Sequence, residues 1–549
     1  MKNTNLPQKS GMKFKNVVLS IILLFWWNSL VANTLPNTEY YRSKSILTLE
    51  KNGKFSNTDS SLTTLKNGSW KLKNNKIILT QQLNDSVVVS ETYPIRYQSD
   101  NKLVLIKEGK RFAYRNAESA GINHNISWLS ILKGFFGLSV LFLVGFLFSK
   151  NRKAISWSMV FKGSLLQLAL AILILKVPFV SGVFDFLAKA FTKVIDFSHE
   201  GAIFLFGFAG EMPPILQNFA FWILPTVVFV SAISSLLYYF GILQFVVKGM
   251  AWVMNRFLGI SGAESVAAAA NVFVGQTEAP LLVKPYLSKM TKSEILCLMV
   301  GGMATIAGGV LAAVVGILSK GDPVMKLFYA KHLLTASLMS APAAIVFAKM
   351  LLPEEEEIDK NLDVSKDKIG VNALEAIANG TTDGLKLAVN VGAMLIVFTS
   401  LIALLNYTLF KIGDWTHLNN IISSGGFYEG LTFESISGYL LAPFSWLLGV
   451  EWQDCMYFGQ LLGEKTIVNE FVAYPHLGDI QDELSQKTVI MATYVLCGFA
   501  NIVSIGIQVG GIGILVPERK STLAKLGLLA LLGGTLACMS TAVVAGMFY

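Results

Sequence analysis

Charged side chains are scarce in this chain. Lys and Arg number 45 and Asp and Glu 36, so 15% of the 549 residues are charged while 53% are hydrophobic. A water-soluble chain of this length needs a larger charged share, which excludes one large soluble globule. Histidines number five, with no two at metal-ligand spacing, and no zinc motif is present. Cysteines number four (Cys297, Cys455, Cys497 and Cys538), all in or beside apolar segments, so no disulfide framework can hold the polar N-terminal region. A Ser/His/Asp arrangement and a Gly-rich phosphate loop are also missing, which leaves no recognisable nucleophile or nucleotide cradle.

What the chain has in abundance is apolar length. Mean hydropathy is +0.53, and runs of about 20 apolar residues, enough to cross a bilayer, recur from Ile131 to Phe548. The formal net charge of +9 could point to nucleic acid. Its basic residues instead cluster beside apolar runs, as at Lys150, Arg152 and Lys153, or Arg519, Lys520 and Lys525. That is the pattern of membrane topology, and no nucleic-acid partner is expected.

Three unequal parts follow. Residues 1–33 read as a secretory signal: Lys13 and Lys15 precede the apolar run Val17 to Trp27, with Ala32 after it. Residues 34–125 turn polar and strand-like. Asn52-Gly53 and Asn67-Gly68 each interrupt alternating apolar residues, a strong hairpin signal, and predict a small antiparallel β domain with a faint likeness to lipocalin-like modules. The remainder is the membrane body, with spans expected at Leu129–Phe148, Trp157–Val177, Phe219–Val246, Glu294–Leu318, Val324–Leu351, Leu385–Phe410, Val489–Leu515 and Lys525–Tyr549. Lys150 to Lys153 place the end of the first span in the cytoplasm, so the β domain is expected to be extracytoplasmic.

Two apolar segments are too interrupted to be spans. Ser261 to Met290 is broken by "GQTEAP", which carries Gln276, Thr277 and Glu278 ahead of Pro280. A helix of about 12 residues covers about 18 Å of a core near 30 Å. Two half-helices meeting at a broken tip are expected near residues 261–290. A second such hairpin is expected near 452–478, with Asn469 and Glu470 at its middle. Irregular backbone at membrane depth survives only where protein or a watery cavity satisfies it, and a carboxylate there is costly unless it has a task. Interhelical hydrogen bonding is the plainer role for Gln276, Thr277 and Asn469, but it leaves the two carboxylates unexplained.

The arrangement repeats. Each hairpin is followed by a span with a small polar break and a glycine pair: Thr305, Gly308 and Gly309 first, then Asn501, Ser504, Gly510 and Gly511. Three expected spans separate the hairpins, so the second enters from the opposite face, the inverted-repeat layout of secondary transporters. The fold class expected is an all-α polytopic membrane protein. It would have eight spans and two re-entrant helical hairpins in an inverted repeat, preceded by the small β domain.

The stretches "AANVFVGQTEAPLLVKPYLSKMTKSE", "GGMATIAGG", "GYLLAPFSWLLGV", "VNEFVAY" and "CGFANIVSI" occur in that order. In them the chain, from about Ser127 to Tyr549, resembles the concentrative nucleoside transporters, particularly the bacterial sodium-coupled members. The β domain lies outside the resemblance. The resemblance implies a homotrimer in the inner membrane, with residues 126–260 mainly scaffold and 261–549 the moving transport core. It implies nucleobase contacts at Gln276, Thr277 and Glu278, with Val310 against the base. Glu470, Asn501 and Ser504 would take the ribose, with Phe499 lining the same pocket. It also implies a sodium ion as coupling ion, held by the side chains of Asn271 and Thr305 and the carbonyls of Val274 and Ile306. Thr305 stands where serine is familiar in the family.

The residue chemistry is compatible. A nucleoside is neutral, with amide-like base edges and vicinal hydroxyls. Gln276 can donate and accept, while Glu470 and Asn501 can bind hydroxyl donors. Proton-coupled nucleoside symport remains the alternative at this point. A membrane hydrolase lacks the nucleophile or metal set it would need, and a receptor would need only one span.

Overall fold

In the computed structural model the described residues are 38–116, apart from short connecting stretches, and 128–549, apart from 208–218, 277, 361–369 and 425–426. The expected signal segment lies outside them. The chain divides into two compact units, Met1–Asn123 and His124–Tyr549.

The first unit is a closed barrel of eight antiparallel strands in sequence order. They are β1 (Thr38–Arg42), β2 (Ser45–Leu49), β3 (Lys54–Asn57), β4 (Asn67–Lys73), β5 (Lys76–Asn84), β6 (Val87–Ser99), β7 (Lys102–Lys107) and β8 (Lys110–Asn116). β8 closes on β1 through Tyr40 opposite Asn116, so no edge is left open. Alternate residues point inward, and Leu47, Leu49, Phe55, Leu62, Leu65, Ile77, Leu79, Tyr93 and Leu105 fill the interior. Each fully buried Leu or Ile contributes roughly 1.5–3 kcal/mol. Asn52-Gly53 falls outside the described residues, although Leu49 pairs with Phe55 on either side of it. Asn67-Gly68 is a correction: it lies inside β4, with Gly68 opposite Phe55. A Cβ on Gly68 would stand 2.0 Å from the Thr80 carbonyl oxygen and 2.9 Å from the Phe55 ring, so glycine serves a close approach there and no turn.

The second unit is helical. Its elements are α1 (Trp128–Leu147), α2 (Trp157–Lys176), α3 (Pro178–Phe206), α4 (Leu224–Tyr239), α5 (Ile242–Leu258), α6 (Gly262–Asn271), α7 (Ala279–Leu282), α8 (Lys292–Ala304), α9 (Gly308–Ser319), α10 (Pro323–Leu351), α11 (Ala373–Trp415), α12 (Leu418–Ser424), α13 (Phe433–Leu447), α14 (Cys455–Ile467), α15 (Glu470–Ile480), α16 (Gln486–Leu496), α17 (Ile502–Leu515) and α18 (Lys520–Gly546). Among the described residues six helical stretches are long and apolar enough to cross a membrane, or seven if α4 and α5 count as one.

Three departures from the sequence reading have physical causes. The span expected at Phe219–Val246 stops at Tyr239, because Gly241 has φ +78° and the chain bends by 75° into α5. A side chain would resist that left-handed conformation. The 29-residue α3 was not expected; Asp185, Lys189, Lys193, Asp196 and His199 on it keep its sequence from reading as an apolar run. The expected span Leu385–Phe410 is the middle of α11, a 43-residue helix about 65 Å long at 1.5 Å per residue.

The two interrupted segments are broken helix pairs, α6 with α7 and α14 with α15. Each is followed by a helix that is itself broken, α8 into α9 and α16 into α17. α1 serves as a ruler for their orientation. Just past its C-terminal end, Lys150 N–H donates to the Leu351 carbonyl at 2.9 Å. Nearby, Lys349 pairs with Glu264 of α6 at 2.5 Å and with Glu354 at 2.9 Å. The opening of α6 therefore sits at that end. At the other end, Gly137 of α1 packs against Leu448 and Lys133 against Gly449, beside the start of α14. The two broken pairs open toward opposite ends of α1.

Candidate functional site

Capping decides where each broken helix begins. Ser261 accepts from Glu264 N–H while the Glu264 carboxylate accepts from Ser261 N–H, and Thr291 and Glu294 repeat the device on α8. Asn469 caps α15 by accepting from Val472 N–H, and Asn501 caps α17 by accepting from Ser504 N–H at 2.8 Å. Because the Asn501 carbonyl is used by the cap, its NH2 is left to point outward, and it donates to the Glu470 carboxylate at 3.1 Å. Glu470 opens α15 at 2% exposure, with its charge beside the helix N-terminus.

The other broken pair reaches the same helix, α17. Gln276 donates to the Ser504 hydroxyl at 3.3 Å and accepts from Gln508 at 3.1 Å. Gln508 donates also to the Met299 carbonyl at 3.0 Å, and its own carbonyl oxygen is buried without a partner. One polar row thus runs Gln276, Gln508, Ser504, Asn501, Glu470 through a buried apolar core. Gln508 was not anticipated. It is an amide one helical turn after Ser504 in an otherwise apolar helix, and that i, i+4 spacing was the available signal. Gly302 lets the row close, since a Cβ there would come within 2.7 Å of Gln508 Nε2 and 2.9 Å of Gln276 Cβ.

The remaining expected residues fall around this row. Val310 is buried in the first turn of α9, and Phe499 is buried in the break before α17. Glu278 turns its carboxylate back over Gly275 and is exposed; among the described residues no hydrogen bond joins it to the row. Thr277 lies outside the described residues.

Asn271, Thr305, Val274 and Ile306 form a second group. Asn271 ends α6 at 1% exposure, and neither its amide oxygen nor its amide nitrogen has a hydrogen-bond partner. The amide lies against Gly301 in the last turn of α8, where a Cβ would be 3.1 Å from Asn271 Nδ2. Thr305 donates its hydroxyl to the Gly301 carbonyl at 2.9 Å, which leaves the oxygen free to accept. Ile306 and Val274 stand in the two breaks, and among the described residues no hydrogen bond to either carbonyl is formed. Oxygens with acceptor capacity to spare, at two half-helix C-termini, fit a small bare cation.

Residues 332–546 match the family described as Na+ dependent nucleoside transporter C-terminus, residues 136–209 its N-terminus, and residues 220–321 a nucleoside recognition family. Residues 34–117 match a lipocalin-like family. The chain is 40% identical over 425 residues to the nucleoside permease NupC of Helicobacter pylori, covering 75% of this chain and 96% of that one. It is 41% identical over 428 residues to an uncharacterized transporter of Haemophilus influenzae, covering 76% and 98%. Human solute carrier family 28 member 3 is 39% identical over 434 residues, covering 76% of this chain and 60% of that protein. Among solved structures, CNTnw in an inward-facing substrate-bound state superposes with TM-score 0.68 at 36% identity, covering 76% of this chain and 99% of that one. From its first helix onward the chain belongs to the concentrative nucleoside transporter family, and it is a transporter, not an enzyme.

Proposed function

We propose that the protein imports nucleosides across the inner membrane in symport with sodium, by alternating access around a site between the two broken helix pairs. The observation that carries this reading is the buried row from Gln276 to Glu470, which joins the tips of both pairs through one helix. A hydrophobic core tolerates such a row only if its members are paired with each other or with a ligand. A nucleoside supplies the matching partners. Its base edge can exchange with the donor and acceptor of Gln276, and its ribose hydroxyls can donate to Glu470 and pair with Asn501 and Ser504. In this reading Thr277, Glu278 and Val310 complete the base side and Phe499 the ribose side. The broken pairs are re-entrant hairpins, and with eight spans they make the inverted repeat.

Sodium is preferred over the proton because the unpaired side chain beside the first tip is Asn271, which does not titrate. Asn271, Thr305 and the carbonyls of Val274 and Ile306 would hold the ion. The resemblance carries the homotrimer, and large apolar side chains exposed along α11, such as Leu385, Val389 and Ile396, suit lipid and neighbouring protomers. The β barrel is read as an extracytoplasmic accessory domain.

Uptake of labelled uridine into proteoliposomes tests the substrate. Accumulation of unchanged uridine above its external concentration is expected. Chemical conversion of the label, or equilibration without accumulation, contradicts the reading.

A further inference from the structure

Lys465 is fully buried in the last turn of α14, and its ammonium donates to the Val495 carbonyl in the last turn of α16 at 2.6 Å. Among the described residues no carboxylate lies within 4.0 Å to form an ion pair with it. A lone buried ammonium is costly, so its place demands a reason.

The reason is visible in the repeat. In the first repeat, the last residue of the hairpin's opening half-helix α6 is Asn271. It lies against the last turn of α8, the first half of the following broken helix, with both amide atoms unpaired. In the second repeat the opening half-helix is α14 and the following broken helix begins with α16. The corresponding meeting of two half-helix C-termini is filled by the ammonium of Lys465. Both places gather carbonyl ends that favour positive charge. Both stand beside a tip carboxylate: Glu278 follows the first, and Glu470, which lies within the electrostatic reach of Lys465, follows the second.

We propose that Lys465 is a resident cation, covalently supplied where the first repeat takes its coupling ion, so that one sodium ion accompanies each nucleoside. The inference rests on the sodium reading of the Asn271 group. Lys465 holds the α14 and α16 ends together and supports the charge of Glu470 for ribose binding. It is a positioning residue that touches neither substrate nor ion.

The wild-type protein in proteoliposomes gives the first test, through the reversal potential of sodium-coupled uridine flux. A ratio of one sodium ion per uridine is expected, and a ratio of two overturns the proposal. A wild type whose flux ignores sodium removes the premise and the inference with it, a result distinct from a sodium-dependent flux with the wrong ratio. The second test is equilibrium binding of labelled uridine to Lys465→Ala at saturating sodium. Affinity is expected to fall roughly ten- to hundredfold, the scale of the charge-assisted contact between Glu470 and the ribose that Lys465 supports. Added ethylammonium should restore it saturably, whereas choline and urea should not. Wild-type affinity in the variant, or a loss that ethylammonium leaves unchanged in protein with a wild-type unfolding profile, overturns the proposal. If Lys465→Ala fails to fold, the wild-type coupling ratio still decides.

Discussion

Asn501 donates to the carboxylate of Glu470 at 3.1 Å while its carbonyl caps α17 through Ser504 N–H at 2.8 Å. One side chain therefore fixes a helix start and aims an amide at the only carboxylate in the buried row. Losing the carboxylate's charge should hurt more than losing a neutral contact, since charged hydrogen bonds contribute about 1.5–3 kcal/mol against about 1 for neutral ones. Glu470→Gln is expected to lower uridine uptake about tenfold further than Gln276→Ala, compared at equal surface expression. Equal uptake by Glu470→Gln and wild type would end the ribose assignment.

Gly302 of α8 lies against both Gln276 of the first tip and Gln508 of α17. A methyl there would meet Gln508 Nε2 at 2.7 Å and Gln276 Cβ at 2.9 Å, so the row must open. Gly302→Ala is expected to weaken nucleoside binding by about 1–3 kcal/mol. Gly510→Ala, which meets nothing within 4 Å, should bind as wild type. Calorimetric titration of uridine into each variant reads the difference, and equal affinities would argue against a site at this contact.

Asn271→Ala and Thr305→Ala remove the two side-chain oxygens of the proposed sodium group. Both are expected to raise the sodium concentration for half-maximal uptake at least about tenfold, the scale of one lost charge-assisted contact. Thr305→Ser keeps the hydroxyl and should stay within about twofold of wild type. Sodium titrations of initial uptake rates check the set, and an unchanged half-maximum in Asn271→Ala would reject that ligand.

Every residue assigned to the site lies after Ser261, and the barrel interior is filled by its own apolar side chains. Deleting Thr34 to Glu118 while keeping residues 1–33 and α1 is expected to leave nucleoside affinity within about twofold of wild type, since every residue assigned to the site is retained. Binding calorimetry on the well-expressed deletion is the check. Loss of binding would make the barrel part of the site.

Much of this was readable from the chain, and the exceptions share a cause. "GQTEAP" and "VNEFVAY" announced broken helices because Gln, Glu, Asn and Pro interrupt otherwise apolar stretches. Gln276, Glu470, Asn501 and Ser504 were legible as polar groups with no reason to sit in lipid, whereas Asn271 entered only through the family resemblance. The helix α3 was not, because amphipathic periodicity with several charges does not register as an apolar run. Nor was the bend at Gly241, where one glycine's positive φ outweighs continuous hydropathy. Asn67-Gly68 misled because the same dipeptide that makes a turn also permits close strand approach. Gln508 and Lys465 were not legible because their importance lies in partners on other segments, Gln276 with Met299 and Val495; the i, i+4 spacing of Gln508 from Ser504 marks a shared face but not those partners.

The central claim is that nucleoside and sodium share one transport cycle, and the ion dependence of concentrative uptake tests it most directly. If sodium orders the first tip beside Gln276, it must raise nucleoside affinity, and nucleoside must raise sodium affinity by the same factor. The measurement is uridine uptake into vesicles with an inward sodium gradient, repeated with choline replacing sodium and again with the pH gradient collapsed. Concentrative uptake is expected to vanish in choline and to survive collapse of the pH gradient. Undiminished uptake in choline, together with its loss on collapsing the pH gradient, would contradict sodium symport and establish proton coupling instead.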